Sequence, residues 1–293
     1  MEGGMPAWDF LLNPPGVERA YLEALQRHFP GWGGHAEFMW WFRRPVGAPA
    51  ADLLVLTTGG DTLVAGAAVS YRLLGVGGER QELAGIVTGA WTAPQYRRRG
   101  CFSELIERAR RVAGGRGATL LLAFCSKEQP ARGPLAKASF AEANGWHIPG
   151  GGGGTPPDRR VRRPSNADLH RWFHENRVGA GIDYPTVEVF AEQALLNDPW
   201  TRVAEAPGGL WGVLAAEGSG GGIQAVIAEE LMPDPTAVAT ALGVWKLPAY
   251  TTDPVVGAKA RSSPSSIFGM TVGEETPPPP WPARWALHMM DRA

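Results

Sequence analysis

The stretch Gln95-Tyr96-Arg97-Arg98-Arg99-Gly100-Cys101-Phe102 decides the fold. An apolar strand pattern (residues 81–91) precedes it, and a helical pattern (residues 103–112) follows it. The first amides of a helix lack internal acceptors and the helix dipole is positive there, so such a turn binds phosphate. The arginines add fixed charge and bidentate donors. An arginine triplet alone also fits a solvated basic turn, but the glycine, the strand and the helix together favour an anion site.

The neighbouring segments predict a mixed α/β sheet, with a mainly antiparallel first part. Apolar periodicity predicts a helix at residues 17–28. Runs of strand character joined by glycine turns follow, and a continuous apolar run predicts a strand buried on both faces. Together with the helix at 103–112, that run implies a parallel strand pair joined by a crossover. The predicted strands are 52–57, 62–73, 81–91 and 118–124, and a last helix is predicted at 135–143, ended by Asn144-Gly145.

Length and a glycine-rich break predict two domains. Residues 1–149 form a first domain, residues 150–157 are a Gly/Pro linker, and residues 158–293 form a second, smaller α/β domain. The second domain repeats an order of strands, a helix and further strands. It is therefore a candidate degenerate copy of the first, although no residue-level repeat supports a duplication. Its predicted helices begin at Ser165 and Pro185 and include 235–245, and its predicted strands are 203–206, 211–217, 223–229, 249–252, 268–272 and 285–290.

Composition excludes several classes of partner. A net charge of −1 gives no bulk attraction to nucleic acid or to anionic lipid, so we predict neither nucleic-acid nor membrane binding. The beginning of the sequence lacks a signal-peptide pattern, so a cytoplasmic location is expected. Two cysteines make neither a disulfide framework nor a zinc site. His170 and His174 share a helical face, but no third ligand accompanies them, so no metal is expected. A homo-oligomer remains open.

The segment 97–102 resembles the CoA-binding motif of the GNAT superfamily of N-acyltransferases, Arg/Gln-x-x-Gly-x-Gly/Ala, with Phe102 replacing the usual small residue. Residues 100–103 resemble a Gly-x-Phe-Ser variant of that motif. The segment 92–94, Thr-Ala-Pro, resembles the family's Val-x-Pro, and 142–146, Glu-Ala-Asn-Gly-Trp, resembles the Glu-Lys-Leu-Gly-Phe that ends the family's second CoA helix. The resemblance covers residues 17–148. It implies a GNAT-like N-terminal domain that uses acetyl-CoA or another acyl-CoA as co-substrate.

The resemblance also implies a set of CoA-binding residues. The strand before the loop splays from its neighbour, and its exposed backbone pairs with the pantetheine arm. The N–H of Thr92 would then stabilise the oxyanion of the tetrahedral intermediate. The loop amides would hold the pyrophosphate, with the Ser103 hydroxyl as a further donor. The implied residues are Ala90, Trp91, Thr92, Arg97, Arg98, Arg99, Gly100, Cys101, Phe102, Ser103 and, beside the pantetheine, Ser126.

The catalytic acid and base are less clear. The family's usual acid is a Tyr four residues before the Gly of Gly-Phe, and on this register that position is Ala141. The thiolate would then leave unassisted, or Tyr71, Tyr96 or Ser139 would protonate it. For the base that the attacking amine needs, the candidates are Glu82 on the third strand and His147. For Glu82 an ordinary exposed charge is the competing interpretation, and for His147 a structural role is.

Three functions compete. The first is transfer of an acyl group from acyl-CoA to the amine of a small molecule, with the second domain as a wall of the acceptor site. The second is a catalytically weakened GNAT-fold protein that binds acyl-CoA as a sensor or partner module. The third, P-loop nucleotide binding, lacks the required Gly-Lys-Ser/Thr. Residues 40–42, Trp-Trp-Phe, resemble an aromatic-rich strand of related acyltransferases. They would line an acceptor pocket or, by default, pack in the core.

Overall fold

A computed structural model describes most of the first half of the chain and separate segments of the second. The described residues are 8–30, 32–43, 48–59, 62–75, 81–125, 130–148, 161–162, 165–167, 170, 173, 180–182, 184, 186–189, 201–206, 209–215, 223–230, 249–251, 263–272 and 285–286. The predicted linker, with Ser126 and the predicted helix at 235–245, lies outside these residues. None of the described helices is long and apolar enough to cross a membrane.

The structure describes four α-helices in the first half of the chain, and one of them has the predicted bounds. They are α1 (Val17–His28), α2 (His35–Phe42), α3 (Cys101–Gly115) and α4 (Arg132–Lys137), and a short 3-10 turn covers Pro94–Tyr96. The predicted bounds of α1 are confirmed. The helix after the arginine triplet begins at Cys101, directly after Gly100, and not at residue 103.

The predicted strands are also present, with shifted ends. In chain order, the strands of the structure are β1 (Asp9–Leu12), β2 (Asp52–Thr58), β3 (Thr62–Gly75), β4 (Gln81–Thr92), β5 (Leu120–Cys125), β6 (Ala141–Ile148), β7 (Val161–Arg162), β8 (Ala180–Ile182), β9 (Thr201–Ala206), β10 (Gly209–Ala215), β11 (Ile223–Glu230), β12 (Ala249–Thr251), β13 (Ser263–Thr271) and β14 (Trp285–Ala286). Four of them, β1, β6, β7 and β8, were not predicted.

All these strands belong to one mixed sheet. Its main order is β1-β2-β3-β4-β5-β13-β6-β12-β11-β10-β9-β7, with β8 and β14 off this path. The strands β2 to β4 are antiparallel to one another, and β4 and β5 are parallel. The strands β9 to β11 are likewise antiparallel, and β11 and β12 are parallel. The second half thus repeats the strand directions of the first, which is what a duplication predicts.

One strand of the second half completes the sheet of the first. The strand β13 lies between β5 and β6 and is antiparallel to both. In turn, β6 pairs with β12 of the second half. The sheet therefore runs without a break across the boundary that the glycine-rich segment suggests.

The sheet of the first half is covered on both faces. Strand β2 is buried from Asp52 to Thr57, because its alternate side chains meet different helices. Leu53 and Val55 pack with α1 and α2, while Leu54 and Leu56 pack with α3 and α4. Burial of both faces explains why the strands are continuous apolar runs.

The predicted helix at 135–143 is wrong in its second half. Helix α4 ends at Lys137, and residues 141–148 form strand β6. The many alanines of this segment favour a helix locally. Pairing of β6 with β13, more than 100 residues later in the chain, overrides that preference.

The aromatic segment at residues 40–42 was also misassigned. It lies in helix α2 and not in a strand. Trp40 and Phe42 are buried, and Phe42 belongs to the core between the sheet and α1. The packing interpretation is therefore confirmed for Phe42.

Candidate functional site

The turn between β4 and α3 has an unusual backbone. Arg98 and Gly100 both lie in the left-handed region, with φ of 59° and 88°. A left-handed arginine is rare, and such residues concentrate at functional sites. Here left-handed residues alternate with residues of negative φ, a pattern that turns successive amides toward one side and makes an anion-binding concavity. The sequence motif singled out Gly100, but sequence analysis did not predict the left-handed conformation of either residue.

The amides of this turn are open. The first backbone hydrogen bond of α3 runs from the N–H of Glu104 to the carbonyl of Gly100, at 3.0 Å. The N–H groups of residues 98–103 precede it, and no other described residue accepts a hydrogen bond from them. Residues 97–100 are exposed, and a side chain added at Gly100 would meet nothing within 4 Å. Unpaired amides at an exposed helix N-terminus are suited to an anion.

Two contacts brace the arginines against the turn. The Arg97 Nε donates to the carbonyl of Thr92 at 3.3 Å, and the Arg99 guanidinium lies 5.8 Å from the Tyr96 ring centroid. The Tyr96 ring in turn meets the edge of Trp8, with the centroids 5.6 Å apart. The positive charges are therefore held near the open amides while staying accessible.

Strand β4 carries a bulge just before this turn. The register of β3 and β4 passes from Ala68 opposite Thr88 to Gly66 opposite Trp91. Gly89 and Ala90 therefore face a single residue of β3, and Gly89 has φ of 55°. A left-handed glycine as the first bulged residue defines a G1 bulge, and bulges are common beside active sites. A glycine inside a predicted strand was the available signal for it.

The bulge coincides with the end of pairing between β4 and β5. These parallel strands pair from Ala84 with Leu120 to Val87 with Ala123, and no pairing joins them beyond that point, although both strands are described to their ends. The last residues of β4 thus have no partner on the β5 side. The predicted separation of β4 from its neighbour β5 is therefore present. The exposed turn follows directly after the separated end of β4.

Helix α1 contacts the bulge from the face of the sheet opposite α3. The hydroxyl of Tyr21 donates to the Gly89 carbonyl at 2.9 Å, and Tyr21 is fully buried. Burial raises the pKa of Tyr21, so the hydroxyl stays protonated. Sequence analysis missed this contact because its partners lie 68 residues apart.

His28 is a second residue that sequence analysis missed. Its ring stacks on Trp91, with the centroids 5.0 Å apart and an interplanar angle of 15°. Partial burial lowers the pKa of His28 below its ordinary value, and the charges of Arg27 and Arg97 lower it further. His28 is therefore a neutral imidazole at neutral pH, beside the end of β4.

The structure brings the predicted CoA-binding residues of the strand and the turn together. Ala90, Trp91 and Thr92 form the end of β4 that has no partner on the β5 side, and Arg97 to Ser103 follow as the turn and the first residues of α3. The Cys101 side chain points inward: it is buried, and its thiol lies 3.6 Å from the carbonyl of Tyr96. Burial raises the pKa of Cys101, so only its backbone fits an anion site.

The candidate bases occupy different parts of the sheet. Glu82 lies at the far end of β4, ten residues before Thr92 and thus roughly 30 Å away at about 3.3 Å per residue. Its carboxylate accepts a hydrogen bond from the Thr119 hydroxyl at 2.8 Å. The structure therefore does not bring Glu82 to the open end of β4.

His147 lies on β6, where it pairs with Ser263 and Tyr250, beyond the level of Cys125. That is the end of the sheet toward which β4 opens.

The position of the missing acid needs correction. Ser139, just after the end of helix α4, has φ of 65°, and the N–H groups of Ser139 and Phe140 donate to the carbonyls of Ala136 and Leu135, at 3.2 Å each. This is a Schellman motif, in which the left-handed residue is usually glycine. Ser139-Phe140 therefore takes the place of the Gly-Phe that ends the second helix in the resemblance.

The corrected register assigns the acid position to Leu135, four residues before Ser139. Leu135 is buried and apolar, and it cannot donate a proton. Ala141, assigned earlier, lies on β6. Tyr71 is fully buried and donates to Asp52 Oδ2 at 2.7 Å, on the α3 face of the sheet, so it does not serve as the acid either.

Comparison with known proteins identifies the fold. No family model matches the sequence, and no curated protein matches it at the sequence level. Among solved structures, a GCN5-related N-acetyltransferase from Kribbella flavida matches with a TM-score of 0.50 and 16% identity, over 89% of this chain and 71% of that one. This chain has the GNAT fold.

A second solved structure matches nearly the whole of this chain. N-myristoyltransferase from Saccharomyces cerevisiae, solved with bound myristoyl-CoA, has a TM-score of 0.55 and 12% identity, over 92% of this chain and 84% of that one. Identities this low establish the fold alone. The features of this chain that bear on function are the open end of β4 and the exposed turn that follows it.

Proposed function

We propose that this protein transfers an acetyl or other acyl group from acyl-CoA to the amine of a small molecule, by direct attack in a ternary complex. One observation carries the proposal. The open amides of residues 98–103 directly follow the part of β4 that has left its neighbour β5. The anion site lies next to the unpaired strand edge. This arrangement fits a ligand in which a diphosphate is joined to an arm that contains amides.

The turn would bind the diphosphate of CoA. Its backbone amides lie at the positive end of α3, where a doubly charged group gains both hydrogen bonds and dipole energy. Arg97, Arg98 and Arg99 would neutralise the remaining charge, and Ser103 is exposed and free to donate its hydroxyl. The Phe102 ring is half-buried against the core, so it does not obstruct the amides.

The open edge of β4 would bind the pantetheine arm and the thioester. The N–H of Ala93 bonds the carbonyl of Val64 on β3, at 2.9 Å. Along a strand, the N–H and C=O groups of successive residues point alternately to the two neighbouring strands. The N–H groups of Ala90 and Thr92 therefore point away from β3, into the gap left by β5. These amides would pair with the arm and stabilise the oxyanion that forms when the amine attacks the carbonyl carbon.

A proton must leave the amine, and the CoA sulfur must gain one after the C–S bond breaks. His28 is our candidate base, because its ring lies against Trp91 and is neutral at neutral pH. His147, on the strand β6 at the open end of the sheet, is the second candidate. With Leu135 at the acid position, the thiolate would leave unassisted or take its proton through Tyr96 or Ser139.

A second candidate function is acyl-CoA binding without turnover, as a sensor or partner module. Two observations favour it. The acid position holds the buried, apolar Leu135, and Glu82 lies far from the open end of β4. Both functions use the same CoA site, so they differ only in the chemical step.

One assay distinguishes the two functions. Purified protein would be incubated with acetyl-CoA and longer acyl-CoAs, with and without a panel of small amines, while free thiol is followed by absorbance and the products by mass spectrometry. Acyl transfer predicts thiol release that depends on the amine and an acylated product of matching mass. Binding of acetyl-CoA without release would support the second function. If no acyl-CoA binds, both are wrong.

The pH profile of the same assay tests the base. If His28 accepts the proton, the rate should fall on acidification only below the ordinary histidine pKa of about 6.5, because its pKa is lowered in the fold. A rate that already falls by half near pH 8 would argue against His28.

A further inference from the structure

The bulge in β4 creates a carbonyl that the sheet does not satisfy. Gly89 has no opposite partner of its own on β3, and pairing with β5 has already ended at Val87. Gly89 is half-buried, and a carbonyl shielded from water without a donor is costly, so the bulged conformation needs a donor from elsewhere. The hydroxyl of Tyr21 is that donor, at 2.9 Å.

Tyr21 is itself immobilised. It is fully buried, and its ring makes edge contacts with Phe38, Phe42 and Trp91 at centroid distances of 6.5, 5.9 and 6.3 Å. These contacts come from α2 and β4, while Tyr21 itself lies on α1, so the hydroxyl has a fixed position relative to the sheet. A fixed donor on the Gly89 carbonyl fixes the peptide plane that joins Gly89 to Ala90.

That peptide plane carries the N–H of Ala90. We propose that Tyr21 is a positioning residue for acyl transfer, and that its hydrogen bond to Gly89 aims the Ala90 amide into the open edge of β4 as an oxyanion donor. The inference rests on the proposed function, and it extends the donor set from Thr92 to Ala90. A peptide plane is rigid, so a donor that orients its carbonyl also orients its N–H.

The glycine at residue 89 fits the same device. Its φ of 55° suits glycine, and a side chain there would come within 3.3 Å of Phe42, 3.4 Å of Leu25 and 3.5 Å of the Tyr21 hydroxyl. The site thus has room for the carbonyl and its donor but little for a further group.

The test is Tyr21→Phe, which keeps the aromatic packing and removes only the donor. The matched control is Tyr71→Phe, because Tyr71 is also fully buried but faces α3 and bonds Asp52. We expect Tyr21→Phe to lower kcat about tenfold with little change in the Kd for acetyl-CoA, since loss of a whole oxyanion donor costs about 100- to 1000-fold in kcat. Tyr71→Phe should change stability but not kcat.

A spectroscopic measurement reads the same contact without an acceptor. Acetyl-CoA labelled with carbon-13 at the carbonyl would be bound to each variant, and its C=O stretch recorded by difference infrared spectroscopy. In the parent protein the stretch should lie below its value in free acetyl-CoA. Tyr21→Phe should reverse part of that shift, and Tyr71→Phe should not.

Two results would overturn the inference. One is an unchanged kcat and carbonyl stretch in Tyr21→Phe. The other is a rise in Kd of equal size in both tyrosine variants, which indicates a structural role only. Failure of the proposed function differs from these, because the parent protein itself would then release no thiol with any amine, whether or not it binds acetyl-CoA.

Discussion

The two ends of helix α3 hold their arginines in opposite ways. At its beginning, Arg98 and Arg99 are exposed, and the amides around them have no acceptor among the described residues. At its end, Arg116 forms two hydrogen bonds with the carboxylate of Asp52, at 2.8 and 3.0 Å. That carboxylate also accepts from Asn13 and Tyr71, at 2.6 and 2.7 Å.

The difference separates stability from binding. Burial opposes ionisation of Asp52, but its hydrogen bonds from Arg116, Asn13 and Tyr71 outweigh burial and lower its pKa. This end of α3 is a satisfied network that ties the helix to β2 and β3. At the other end, Arg98 is held in a left-handed conformation and the amides of residues 98–103 contact no acceptor in other described residues. Groups of the second kind are expected where a ligand completes the structure.

The largest effect should come from Gly100→Asp. A carboxylate about 4 Å from the diphosphate costs roughly 4 kcal/mol at an effective dielectric constant of 20, so CoA affinity should fall at least about a hundredfold. Calorimetric titration with CoA measures it. Gly117→Asp is the matched control at the other end of α3, because Gly117 has a similar φ of 84° and equal open space. Equal affinities in the two variants would contradict the site.

Asp52→Asn should act at the satisfied end only. Removing one partner of a buried ion pair costs 3–5 kcal/mol, but Arg116 is half-exposed and can be rehydrated, so we expect a loss of about 2 kcal/mol in the free energy of unfolding. Urea denaturation measures it, and Glu107→Gln, which alters exposed ion pairs on the same helix, should cost less than about 1 kcal/mol. CoA affinity should not change in either variant.

The pH dependence of stability sharpens the same contrast. The pKa of Asp52 is lower in the fold than in the unfolded chain, so its contribution is fully present above about pH 4 and is lost as pH falls through the folded pKa. The stability difference between the parent protein and Asp52→Asn should therefore shrink on acidification below about pH 4. Denaturation curves at several pH values test this, and a difference that is constant with pH would show that Asp52 is not the titrating group.

The smallest effect should come from Arg98→Gly. Glycine prefers the left-handed conformation of this residue, so the variant removes a charge without straining the turn. CoA affinity should fall about tenfold at low salt and less at high salt, because the contact is exposed and screened. Arg98→Lys keeps the charge and should lose less. A fall that is independent of salt would indicate a change of backbone instead.

Local patterns predicted the elements that local physics determines. Helix α1, the strands β2 to β5 and the turn at Gly100 follow from periodicity and from the helix-start motif. Contacts distant in sequence determined the rest. Pairing with β13 turned residues 141–148 into a strand, and this also shifted the register of the resemblance from Ala141 to Leu135. The hydrogen bond from Tyr21 to Gly89 left no trace in sequence beyond the glycine itself.

The most direct measurement compares CoA with a fragment that lacks its diphosphate. The parent protein would be titrated calorimetrically with CoA and with pantetheine under one buffer and salt concentration. Binding centred on the amides of residues 98–103 predicts that CoA binds and that pantetheine binds at least about a hundredfold more weakly, since several charge-assisted hydrogen bonds are lost. Equal affinity for both, or no binding of CoA, would contradict an anion site at these amides.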